Sequence, residues 1–153
     1  MAQVEVKLLP EALDGQALYA DFVAANRGAG AIVTFSGRVR GQNAGGKVSH
    51  LYLDWYPGMT EKSLSDIAEA GAARFEVQAL LVAHRCAEVK AEEEIVFVAV
   101  AAAHRRAAFE AADYLMDRLK SEAALWKREA GEGGERWIEP SAADAGDLKR
   151  WKR

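Results

Sequence analysis

Residues 94–111, EIVFVAVAAAHRRAAFEA, change period halfway along. Ile95 to Ala101 is an unbroken apolar run containing β-branched residues, short and sharply bounded as a strand should be. From His104 onward the apolar positions recur at helical spacing, with Ala108, Ala112, Leu115, Leu119 and Ala123 on one side. That spacing predicts a helix from about His104 to Leu125. Upstream, Val77 to His84 is a second apolar run. The charged segment Glu88 to Glu94 joins the two runs as an antiparallel hairpin would require.

Further out, Val48 to Trp55 alternates, with Leu51, Leu53 and Trp55 on one face and His50, Tyr52 and Asp54 on the other, as in a half-buried strand. Pro57-Gly58 closes it with a turn. Thr60 then reads as an N-cap and Glu61 as a first-turn carboxylate for a helix from about Glu61 to Arg74. At the start, Val4 to Leu9 is a strand and Gln16 to Ala25 a short helix. After the Gly28-Ala29-Gly30 break, Ala31 to Val39 reads as a largely buried strand. The glycine-rich stretch Gly41 to Lys47 is a loop, a hairpin connection in preference to a mobile flap. Gly131 to Gly134 breaks the chain again, Arg136 to Glu139 is a last short strand, and a polar tail follows. The whole predicts an α+β fold, a mainly antiparallel sheet covered by two or three helices.

The composition fits one domain spanning 1–153, with the tail from about residue 141 less clearly part of it. Half of the 153 residues are hydrophobic and 28% are charged, which excludes a disordered chain. No apolar run approaches the roughly 20 residues of a membrane span, and the first ten residues lack a signal-peptide layout, so a cytoplasmic protein is expected. Cys86 is the one cysteine, which rules out an internal disulfide. His50, His84 and His104 are too scattered to suggest a metal site. The net charge of −3 is uneven: residues 1–103 carry nine Lys/Arg against thirteen Asp/Glu, while residues 104–153 carry eleven against ten. Within that second part, His104 to Arg128 holds six cations and four anions. That is no nucleic-acid-binding stripe, but it suits a local site for a small anion.

Several residues have the chemistry for such a site. His104, Arg105 and Arg106 stand where a helix begins, and cations are electrostatically adverse there unless something negative pairs with them. The partner is either a bound anion or carboxylates of the chain such as Glu110. Lys120 and Lys127 are seven residues apart, which on a continuous helix puts them on one face about 10 Å apart. They are either solvated surface, a phosphate clamp, or a pair in which one lysine acts after its pKa is lowered. Arg38 and Arg40 end a strand beside the glycine-rich loop and read equally as phosphate ligands or as protection of a sheet edge. Cys86 lies two residues from His84 on one strand face, but a small buried hydrophobe is its more ordinary role.

Taken in order, VTFSGRVR (Val33 to Arg40), DWYPGMTEKSL (Asp54 to Leu64), EIVFVAVAAAHRRAAFEA (Glu94 to Ala111), DYLMDRLK (Asp113 to Lys120) and LWKREA (Leu125 to Ala130) strongly resemble the MoaE family, the large, catalytic subunit of molybdopterin synthase. The resemblance runs over about Ala31 to Ile138. It implies an α/β-hammerhead fold and a homodimer of large subunits. Each would bind a small ubiquitin-like sulfur-carrier subunit of the MoaD type, making a heterotetramer. The implied reaction is sulfur transfer: cyclic pyranopterin monophosphate receives two sulfurs from the carrier's C-terminal thiocarboxylate to form the dithiolene of molybdopterin. No permanently bound cofactor and no metal is implied, and the sulfur arrives on the partner.

By the same resemblance Lys120 matches the essential catalytic lysine and Lys127 the second active-site lysine. Arg38, Val39, Arg40, His104, Arg105, Lys127, Arg128 and Glu129 match substrate-binding segments, and Lys120 shares in that binding. His104 and Lys120 are about 160° apart around an ideal helix, which predicts a site shared between two subunits. The chain departs from the family where glycines are usual, at Cys86-Ala87 and Glu92-Glu93. It also carries Trp55 where histidine is frequent, and Ala124 in place of a common proline. The last change predicts that the long helix runs further.

Overall fold

A computed structural model describes residues 1–152. The first sheet contains β1 (Gln3–Leu9), β5 (Ala79–Arg85), β7 (Glu94–Ala102) and β2 (Ala31–Arg38), in that spatial order. β1 runs parallel to β5 and the remaining pairs are antiparallel. The apolar runs of β5 and β7 are central and buried along almost their whole length. One face of this sheet packs against α2 (Met59–Arg74) and α3 (Arg105–Glu122), through Leu64, Ile67, Leu80, Val82, Val98, Val100 and Leu115. α1 (Gly15–Ala25) covers the other face with Phe22 over Leu81, Phe97 and Ala99. Strand alternation assigns these sides, so even-numbered β5 residues face α2 and α3 and odd-numbered ones face α1.

β2 is an edge strand, not the buried one its apolar run predicts. Thr34, Phe35 and Ser36 are exposed, Phe35 to 42%. A β-branched run reports strand character without saying whether a second neighbour will pair with it.

The second sheet is built on β4 (Gly46–Trp55). It pairs with the short β3 (Gln42–Asn43), with β6 (Ala87–Lys90) and with β8 (Leu125–Gly131), which in turn pairs with β9 (Gly134–Ile138). The Gly41–Lys47 stretch is therefore a hairpin. The β5–β7 connection contains an additional strand, β6, that crosses to this second sheet. Val39, Val48, Leu53 and Val89 form the small core between the sheets. α4 (Ala142–Lys149) follows β9, capped by Ser141 and Asp144. The tail read as merely polar is thus helical, and Trp151 packs edge-on to Phe75 and Tyr114.

Two helix boundaries differ from the periodicity. α2 starts at Met59, so Thr60 lies inside its first turn. There its hydroxyl accepts from Tyr56 N–H (2.9 Å) while Glu61 accepts from Gly58 N–H (2.9 Å). Gly58 sits at φ +87, where a side chain would be strained. α3 ends at Glu122 and does not continue through Leu125. The cause is tertiary: Thr60 donates to the Ala124 carbonyl (2.7 Å) and Ser63 Oγ accepts from Ala124 N–H (2.9 Å). With Ala123 turned to extended backbone at the helix end, these bonds pin residue 124 and launch β8 along β4. Replacing proline with alanine before the Trp126-Lys127 pair does not extend the helix.

The departures at Ala87 and Glu92 are also visible. Both adopt the left-handed backbone, at φ 63 and φ 72, that glycine would occupy without strain. β6 and the turn that follows it carry that cost.

Candidate active site

Ending α3 at Glu122 redefines the relation of the two lysines. Lys120 lies on the last turn of α3 and Lys127 on β8, so they are not two rungs of one helix face. They still meet, because the chain reverses between them. Two cavities, of about 640 and 620 Å³, share five lining residues: His84, Leu119, Lys120, Lys127 and Ile138. The first cavity opens among Met59, Trp126, Trp137 and Asp144. The second opens among Arg38, Arg40, Met116, Glu129 and Arg136. The lysines therefore stand at the junction of two chambers, one with an aromatic mouth and one with a basic mouth.

Electrostatics at the junction is shaped by burial. Desolvation, and then the charge of Lys120, pulls Lys127 down to about 8, with Asp144 of α4 acting in the opposite direction. A lysine poised there presents a usable fraction of free amine near neutral pH. Asp144 itself is held below the usual carboxylate range, chiefly by its bond from the Ser141 backbone and also by the two lysines.

Strand alternation sorts the WKRE segment. Lys127 and Glu129 face the cavities, with Ile138 and Arg136 as their neighbours on β9. Glu129 accepts from Arg136 Nε (3.1 Å) and from the Asn43 amide, which fixes the β3–β4 hairpin over the basic chamber. Arg128 points the other way. It pairs with Asp54 (3.0 Å) and stacks over Tyr52, 4.6 Å from the ring centroid, on the opposite face of the sheet. It lines neither chamber. Among the residues expected at the site, Arg128 is the one that this sheet turns away.

Arg38 and Arg40 both line the basic chamber, and both are exposed. Arg38 Nε donates to the Glu92 carbonyl (3.0 Å), which anchors the arm and leaves its terminal nitrogens available. Val39 lines the same chamber but is a wall: it is 3% exposed, and its backbone N–H and C=O bond to Glu93 and Glu92. His104 and Arg105 are not brought to the lysines. They stand at the opposite end of α3, about 24 Å away along the axis at 1.5 Å per residue. There His104, Arg105 and Arg106 are exposed and form no ion pair among the described residues, so Glu110 does not supply the counter-charge.

Sequence reasoning missed His84, Met116, Arg136 and Asp144. A histidine closing an otherwise apolar central strand was the available signal for His84. Met116 lies one turn before Lys120 on α3, while Arg136 and Asp144 become visible only once β9 and α4 fold back. Cys86 is 1% exposed, and burial pushes its thiol pKa up, so it packs as a small hydrophobe and offers no reactive thiolate. Among the described residues no three His, Cys, Asp or Glu side chains cluster as metal ligands, and no helix is long and apolar enough to cross a membrane.

Known proteins are similar to this chain in architecture and in sequence. The chain is 50% identical over 122 residues to the molybdopterin synthase catalytic subunit of Yersinia pestis, covering 80% of this chain and 81% of that protein. It is 44% identical over 146 residues to the subunit of the same name from Caulobacter vibrioides, covering 95% and 96%. Molybdopterin cofactor biosynthesis protein E from Burkholderia multivorans superposes with a TM-score of 0.81 at 35% identity, covering 99% of this chain and 98% of that one. The family model described as MoaE protein matches residues 8–122. With that match spanning most of the sequence, from the end of β1 through α3, the chain belongs to the MoaE family.

Proposed function

We propose that this chain is the catalytic subunit of a molybdopterin synthase, a sulfurtransferase that moves two sulfurs from a carrier's C-terminal thiocarboxylate to cyclic pyranopterin monophosphate. The observation that carries this reading is the meeting of Lys120 and Lys127 at the junction of two chambers with unlike mouths. Relatives named as catalytic subunits of molybdopterin synthase support the reaction class.

The chamber entered past Met59, Trp126 and Trp137 suits an extended, uncharged peptide tail, which brings its terminal thiocarboxylate to the lysines. The opposite chamber, with Arg38, Arg40 and Arg136, suits a phosphorylated pterin. Each transfer forms a carbon–sulfur bond on the pterin side chain in place of a carbon–oxygen bond there, whose oxygen leaves as water or stays on the opened phosphate. It breaks the carbon–sulfur bond of the thiocarboxylate, whose carbon leaves as a carboxylate with oxygen from water. Lys120 offers positive charge to the thiocarboxylate and to the oxyanion that develops on its carbon. Lys127, with its lowered pKa, takes up and returns the protons that these steps release.

The unpaired His104 and Arg105 fit a site completed across a dimer, where a second large subunit would add them to the basic chamber. One such dimer with two small ubiquitin-like carriers makes the heterotetramer. A cytoplasmic location, a single functional unit over 1–153, and substrate and product as the only small molecules handled belong to the same reading.

The test is to combine the chain with a thiocarboxylated carrier and cyclic pyranopterin monophosphate and assay molybdopterin. Product is expected, and Lys120→Ala should lower its rate by about 10²–10⁴-fold with the melting temperature unchanged. A wild-type chain that holds the carrier and the pterin yet forms no product would be an anion-binding scaffold, which overturns the reading.

A further inference from the structure

We propose that His84 is a positioning residue of the transfer site, its imidazole presenting Nε2 as the hydrogen-bond acceptor that holds the Lys127 side chain at the junction of the two chambers. The inference rests on the transfer reading above.

His84 is 4% exposed and closes β5 on the face that carries Leu80 and Val82, beneath the end of α3. Its ring lines both chambers. Nδ1 lies 2.8 Å from the Arg85 carbonyl. A carbonyl oxygen can only accept, so Nδ1 carries the proton and Nε2 is left with a lone pair. Burial, then the charge of Lys127, lowers the ring's pKa to about 4 against the opposing pull of the Arg85 carbonyl, so the ring is neutral under working conditions.

The Lys127 ammonium forms no side-chain hydrogen bond or ion pair among the described residues, and the neutral ring is the one uncharged acceptor in the junction's shared lining, since Leu119 and Ile138 are apolar and Lys120 is a donor. Of the charges that line the two chambers, Lys120 from α3 and Asp144 from α4 act on Lys127; Asp117, Glu122, Glu129 and Glu139 are the other carboxylates there, and Arg38, Arg40 and Arg136 the other cations. Lys120 repels Lys127 and Asp144 attracts it toward α4. A fixed acceptor under β5 holds the side chain toward the junction against both.

Two measurements test this. In the wild-type protein, ¹⁵N shifts of the His84 ring should report a neutral Nδ1–H tautomer near neutral pH, and an Nε2–H tautomer or a cationic ring there overturns the proposal. In the assembled synthase, His84→Asn keeps a donor for the Arg85 carbonyl but removes the distal acceptor, whereas His84→Gln places an amide oxygen near the Nε2 position. The expected outcome for His84→Asn is a roughly tenfold fall in kcat with KM for the carrier unmoved, and a lower pH midpoint for the Lys127 limb of the rate profile. His84→Gln should restore both. Unchanged kcat and midpoint in His84→Asn, or equal losses in both variants with the midpoint fixed, overturns the proposal. Should His84→Asn not fold, the tautomer measurement decides. If wild type itself makes no product, the transfer reading fails, while the ring state and the Lys127 titration remain readable by NMR.

Discussion

At the start of α3, His104, Arg105 and Arg106 stand exposed, with no ion-pair partner among the described residues and a helix dipole of the wrong sign behind them. Sixteen residues later, at its end, Lys120 meets Lys127, His84 and Asp144 around one junction, and the dipole favours its charge. The same helix thus carries one cationic end that its own chain completes and one that it leaves open. The back face of β8 offers a third case: Arg128 is fully engaged by Asp54, Glu135, Tyr52 and Trp137. Positive charge with its own partners holds the fold together, and positive charge without them marks where something else must bind.

The sharpest way to break this comparison is to mix variants. Arg105→Ala and Lys120→Ala should each be nearly inactive alone. Co-assembled, they should recover about a quarter of wild-type activity, because half the dimers are mixed and each then holds one intact site. No recovery would mean that both ends of α3 serve one chain's site, and full activity of Arg105→Ala alone would mean that Arg105 serves none.

A second test concerns the buried end. His84 takes a proton near 6.5 when unfolded and near 4 when folded. The folded chain therefore binds fewer protons between those values, and stability present above about pH 6.5 is lost as pH falls toward 4. The loss is on the order of 3 kcal/mol at 1.36 kcal/mol per unit. Denaturant melts of wild type and His84→Gln across that range should show the slope in the first and its removal in the second.

For the engaged cation, Arg128→Ala should lower the melting temperature slightly, through the lost ion pair and stacking, and change turnover less than about twofold. A large rate loss with stability intact would return Arg128 to the substrate site.

The smallest effect is at the hairpin. Ala87→Gly should raise stability by about 0.5–1 kcal/mol, by relieving the positive φ at some cost in chain entropy. A melting temperature that falls would mean that the methyl group's packing outweighs the strain.

The strands β1, β5 and β7, the alternating β4, and the body of α2 were legible because period and composition respond directly to one-sided or two-sided burial. The lysine pair was legible as residues and wrong as geometry: helical spacing ran smoothly past Glu122, and only the Thr60 and Ser63 hydroxyls on Ala124 stop the helix there. β6 was hidden inside a charged connection, since four residues at a sheet edge carry little periodicity of their own. Arg128 could not be told from Lys127 by motif, because neighbours in a motif land on opposite faces of a strand.

By itself the sequence determined the family, the α+β class and the inventory of cations, since these rest on local pattern and on residue identity. The tertiary structure alone decided where α3 stops, which cations find partners, and that two chambers meet at Lys120, Lys127 and His84. Those outcomes depend on contacts between segments more than 30 residues apart, such as Thr60 with Ala124 and β4 with β8, whose strength no local window of sequence contains.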